Sequence, residues 1–151
     1  RRVGRLLQAL VILAAALLLA EIPWTPWRVL VAVTTPLVGA AFFGALFVAG
    51  ATVAFWWIES GELANAVTYG GKDFTTTPVT VYSGWFRAIF GYGLGFAFVA
   101  YYPGLLLLGR PDPLGAPGFV PWLGPLAAAV AVGVAALAWR TGVRHYTSTG
   151  S

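Results

Sequence analysis

An all-α, polytopic transmembrane bundle is predicted by three observations. Apolar residues make up 59% of the 151-residue chain and charged residues only 9%, with a mean hydropathy of +0.80, whereas an ordinary soluble domain is about a quarter charged. The apolar residues fall in long runs, several rich in the Ala and Leu that favour helices. The few charges sit mostly at the ends of those runs. Each crossing needs about 20 residues to cover roughly 30 Å of hydrocarbon, so the chain has room for four spans in a single transmembrane domain.

The first span is expected at about 6–22, closed by Glu21, Pro23 and Pro26, with Trp24 and Trp27 as interfacial anchors. Arg1, Arg2 and Arg5 before it imitate a signal peptide, but another apolar run follows at once with no small-residue cleavage site and soluble domain. That second run, Trp27 to Ile58, would be roughly 48 Å long if wholly helical, too long for the hydrocarbon layer. Pro36, after Thr34 and Thr35, lacks a backbone donor and crowds the preceding turn, so a break is expected there and the span at 36–58.

Residues 59–83 contain Gly61, Gly70, Gly71, Pro78 and a Thr-rich stretch among several ionisable side chains. Exposed to lipid they would leave backbone groups unpaired, so a loop with a helical start is expected. The third span, 85–108, carries GYGLG at Gly91 to Gly95 and then Tyr101, Tyr102 and Pro103, a site where a helix can break and Leu105 to Leu108 fold as a short re-entrant piece. Four Pro and three Gly between Gly109 and Pro121 mark a turn-rich connection. The last span, 121–139, ends at Arg140.

Charge sets the orientation. Arg1, Arg2, Arg5, Lys72, Arg87, Arg140 and Arg144 fall on one side of this arrangement, and only Arg28 and Arg110 on the other, which places both ends and the 59–83 loop in the cytoplasm. The basic residues form no single stripe, so nucleic acid is not an expected partner; the lipid bilayer is. With no Cys and a lone His145, neither a disulfide framework nor a thiolate or imidazole metal site is expected. Gly71-Lys72 lacks the earlier Gly of a phosphate-binding loop and is followed by Asp73 where Ser or Thr would meet magnesium. The chain is therefore expected to hydrolyse no ATP and to bind no cofactor.

Glu59 and Glu62, three apart, would share a helix face. Without a nucleophile or metal ligand beside them they are not expected to be catalytic, and they stand either as solvated carboxylates or as partners for Lys72, Arg87 or another protein. Gly70 and Gly71 suit a turn, and Asn65 a cap or turn. Tyr101 and Tyr102 are either interfacial aromatics or part of a lining. Arg140, Arg144 and His145 read as an anchor facing anionic headgroups, and the small-residue spacing at Gly91 and Gly95 as a close-packing surface.

Three segments then converge. FWWIESGELANAVTYGGKDF (Phe55 to Phe74), YYPGLLLLGRPDPLG from Tyr101 and WRTGVRHYTSTGS from Trp139 occur in that order, and together they make residues 56–151 resemble the membrane subunit of bacterial ABC-2 type exporters. The resemblance implies a six-span permease domain of which this chain looks like the last four spans, a fragment lacking the N-terminal ones. It further implies residence in the bacterial inner membrane, a separate ABC ATPase subunit that uses the ATP, and a second permease copy or paralogue. By that resemblance Glu59, Glu62, Asn65, Tyr69, Gly70 and Gly71 are coupling or gating candidates, and Tyr101, Tyr102 and Pro103 lie by the translocation path. Members of the nearest branch are implicated in expelling cationic or amphipathic compounds. The alternative from another class is a non-transporting membrane scaffold or assembly factor.

Overall fold

The computed structural model describes residues 2–53 and 61–145, and among these every regular element is helical. Helix α1, Arg2–Leu19, is apolar along its length, yet nearly all its described side chains are exposed. At its end Glu21 takes a positive φ of 47°. Thr25 then starts α2, Pro26–Thr52: its hydroxyl accepts the Arg28 N–H at 3.3 Å, and Pro26 occupies the first turn, where no N–H is needed.

The break expected at Pro36 does not occur, because α2 runs unbroken through it. A backbone inside hydrocarbon has no water to turn to, so a helix that loses one bond at proline still leaves fewer orphan groups than a helix that stops. The Thr34 hydroxyl helps in the turn just before, donating to the Leu30 carbonyl at 2.8 Å. The helix thus begins ten residues before the expected start of the span, at Pro26, and is described to Thr52; the expected end at Ile58 lies outside the described residues.

The helical start expected in the 59–83 loop runs further than the sequence suggests. Most of the segment is a helix, α3, Gly61–Thr76, which folds back along α2. Gly70 and Gly71 have no positive φ and form no turn. Thr75 and Thr76 close the last turn by donating to the Lys72 and Asp73 carbonyls, both at 2.7 Å. A short 3-10 turn, Val79–Val81, leads into α4, Gly84–Gly93.

Helices α4 and α5 (Ala97–Leu108) form a pair bent by 70°. The bend lies at Gly95, with φ +88°, and not at Tyr101 to Pro103 as expected from the sequence. Widened π turns flank it at Arg87–Gly93 and Ala97–Tyr101, and Pro103 lies inside α5, just after the second of them passes into the α-helical stretch Tyr102–Leu108. After a 3-10 turn at Val120–Trp122, α6, Gly124–His145, completes the chain. Helices α2 and α6 are long and apolar enough to cross a membrane, the bent pair makes a third such stretch if counted as one, and α1 is a shorter apolar helix. The structure thus carries two to three candidate spans where the sequence suggests four.

Helix α6 runs beside α2 in the same direction: the Trp27 and Trp122 rings lie 4.9 Å apart at their starts, and Ala45 and Val48 share a groove with Ala135 and Trp139 further on. Helix α5 runs against α2, with Phe96 on Phe42 at 5.5 Å between ring centroids and the Arg28 side chain at Leu106. The core is aromatic: Phe42, Phe74, Phe96 and Tyr102 are all buried. Between helices in lipid there is little hydrophobic drive, so van der Waals fit decides. Gly71 supplies that fit, since a β-carbon there would run into the ring of Phe96.

Two neighbouring glycines should therefore respond in opposite directions. Gly70→Ala meets open space and should stabilise by about 0.5–1 kcal/mol through helix propensity, whereas Gly71→Ala should destabilise by about 1–3 kcal/mol through overpacking. Thermal midpoints of the two variants in one detergent check the signs.

Candidate functional site

The end of α5 and the chain after it form the most strongly built polar site. Gly109, with φ +64°, caps α5: its N–H meets the Leu106 carbonyl at 3.3 Å, and the Arg110 N–H meets that of Leu105 at 3.1 Å. Arg28, reaching across from α2, donates from Nε to the Leu106 carbonyl at 3.3 Å and from Nη1 to the Pro23 carbonyl at 2.6 Å. One guanidinium thus ties together the α1–α2 turn, the start of α2 and the end of α5. A cation at a helix C-terminus also suits the negative end of the helix dipole.

Asp112 organises the following loop. Its Oδ1 accepts the Tyr101 hydroxyl and the Leu114 N–H, both at 3.1 Å. Its Oδ2 accepts the Tyr102 hydroxyl at 3.4 Å and the Ala116 N–H at 3.1 Å. The Tyr102 hydroxyl also lies 3.2 Å from that of Tyr92, which joins the cluster to α4. Four donors on two oxygens use the usual hydrogen-bonding capacity of a carboxylate. Asp112 therefore acts as a latch that holds the loop to α5, and it has no spare lone pair for acid–base chemistry.

Beside this latch lies a cleft of about 420 Å³. The Thr75–Thr80 segment forms one wall, and Tyr101, Leu105, Leu108 and Arg110 stand opposite. A more apolar groove of about 350 Å³ lies between α2, the bend at Gly95 and α6. The first cleft brings together the Thr-rich segment and Arg110, which the charge count sets on opposite sides of the membrane.

The sequence-expected residues separate into distinct places. Tyr101 lines the cleft, whereas Tyr102 and Pro103 are buried in the protein. Asn65 and Tyr69, four apart, are exposed on α3 and Gly70 is open, while Gly71 faces the core. Glu59 lies outside the described residues, as does the side chain of Glu62; the backbone of Glu62 belongs to the first turn of α3. Trp24 and Trp27 are exposed near the start of α2, and Arg140 and Arg144 near the end of α6.

Arg28, Tyr92 and Asp112 were not picked out from the sequence. An Asp in a Pro- and Gly-rich connection is a signal for a turn built on its side chain, but its two tyrosine partners are ten and eleven residues away and become visible only with the fold.

A family model described as "ABC-2 family transporter protein" matches residues 1–150. Neither the curated proteins nor the solved structures offer a match to this chain.

Removing the latch should free the loop. Asp112→Ala should speed hydrogen exchange at Leu114 and Ala116 and lower the thermal midpoint, the loss per hydrogen bond to a charged group being about 1.5–3 kcal/mol. Unchanged exchange at both amides would show that the loop is held by something else.

Proposed function

We propose that this chain, which belongs to the ABC-2 family of transporter proteins, is the membrane-spanning permease subunit of an ATP-driven exporter, forms part of its translocation path and couples to a separate ATPase. The observation that carries the reading is the family match over 1–150, on an all-helical chain whose long helices are apolar enough to cross a membrane. Members of this family are membrane components of transport systems, and the step that consumes ATP belongs to the partner subunit in this scheme. The chain sits in the bacterial inner membrane beside a second permease copy or paralogue. The bare apolar surface of α1 supports such a neighbour.

The coupling surface proposed here is Glu59 and Glu62 together with the exposed face of α3 at Asn65 and Tyr69. A push there has a rigid route inward. Helix α3 rests on Phe96 through Gly71 and on Tyr82, Phe86 and Phe90 through Phe74. Phe96 in turn adjoins Gly95, the residue about which α4 and α5 turn. Tilting α3 would thus act on the bend and, through α5, on the Tyr101, Tyr102 and Asp112 latch at its far end.

Charge reversal tests the coupling. In membranes holding the partner ATPase, the double substitution Glu59→Lys and Glu62→Lys should abolish ATP-dependent efflux while membrane insertion stays normal. Efflux at the parental rate would remove these carboxylates from the coupling surface.

Orientation is tested separately, and the absence of Cys from the chain makes single-cysteine labelling clean. Arg5→Cys and Thr147→Cys should react with an impermeant maleimide only in inverted vesicles, and Pro113→Cys only from outside the cell. Labelling of both ends from outside would reverse the proposed topology.

A further inference from the structure

We propose that the cleft between the Thr75–Thr80 segment and α5 binds an amphipathic anion, with its oxyanion head on Arg110 and its apolar tail along Leu105 and Leu108. The volume, about 420 Å³, falls in the range of small-molecule sites, roughly 300–1,000 Å³. Its two walls differ in kind. One is a row of hydroxyls, and the other sets Arg110 beside the aliphatic Leu105 and Leu108, which places charge next to apolar surface as an amphiphile needs.

The charge of the ligand follows from which polar groups remain available. Thr75 and Thr76 spend their hydroxyl hydrogens on the Lys72 and Asp73 carbonyls, and Tyr101 spends its own on Asp112. Among the described residues no carboxylate lines the cleft. Asp112, next in line, is already saturated by two tyrosines and two backbone amides. Arg110 is exposed, lines the cleft and has no hydrogen-bonded carboxylate among the described residues. The strongest unused donor in the site is thus a guanidinium, whose planar fork matches a carboxylate, sulfate or phosphate. A cationic head would face Arg110, the one charged side chain that lines the cleft among the described residues.

The inference deepens the transport reading by giving one of its cavities a ligand class. It concerns binding alone, so its failure is distinct from a failure of ATPase coupling, which leaves binding untouched. The probes are decyl phosphate and the charge-reversed decyltrimethylammonium, titrated calorimetrically into phosphatidylcholine nanodiscs holding the full chain, with empty discs subtracted. Saturable binding of the phosphate and none of the cation is expected. Arg110→Gln, at an exposed position, should weaken phosphate binding roughly ten- to hundredfold, as loss of a charged hydrogen-bonding partner implies. Arg110→Lys should retain part of it.

Leu108→Trp, which fills the mouth without touching charge, should also block the phosphate; circular dichroism confirms that each variant is folded. Equal binding of the two probes, or phosphate binding indifferent to both Arg110→Gln and Leu108→Trp, would overturn the proposal. Repeating the titration in phosphatidylglycerol discs separates the sources of the ligand. Competition there identifies a lipid headgroup as the occupant, and unchanged binding identifies a free amphiphile.

Discussion

The contact between Phe96 and Gly71 fixes the rest of the arrangement, because three parts of the chain meet at that ring. Phe42 and Phe43 of α2 lie 5.5 and 5.9 Å from it between centroids, Phe74 of α3 lies at 5.8 Å, and the ring itself stands between the bend at Gly95 and the start of α5. In lipid, tails are as apolar as the side chains, so association rests on shape and not on escape from water. Only a residue without a side chain lets α3 approach so closely. The aromatic stack from Phe74 through Tyr82, Phe86 and Phe90 then extends the same contact into α4.

The opposite end of α5 is held by different means. There Arg28 and Asp112, of opposite sign and not paired with each other, divide the work. The cation collects carbonyl groups at the helix end and the anion collects hydroxyls and amides of the next loop. Between them they satisfy carbonyls at the end of α5 and in the α1–α2 turn and amides in the loop after α5. Helix α5 is thus clamped by van der Waals fit at its start and by charged hydrogen bonds at its end.

The helical class and the membrane setting were legible in composition and run length, and the family in the order of three short segments. The internal geometry was less so, for identifiable reasons. Pro36 and Pro103 both read as breakers, yet each lies inside a continuous helix, because the rule that proline ends helices is calibrated where water can take over the freed carbonyl. The polar residues of 59–83 read as a loop with a helical start, and the helix runs further than that, to Thr76; that Gly71 and Phe74 share its core-facing side is visible only with the fold. Asp112 is passed over within a turn-rich connection; that it gathers Tyr101 and Tyr102 depends on α5 continuing past Tyr101 to its cap at Gly109.

The two π turns that flank Gly95 have a geometric consequence for the helix beyond them. A π turn holds one more residue than an α turn over nearly the same rise. The chain therefore stores spare length on both sides of its bend. Tightening the turn at Ala97–Tyr101 into α geometry would rotate the chain after it by about 100° per residue taken up, at the expense of the hydrogen bonds that tie the end of α5 to Asp112 and Arg28. Tyr101 and Tyr102 would then swing off Asp112 together. A register slip of a single residue there would free the loop that Asp112 holds through the Leu114 and Ala116 amides.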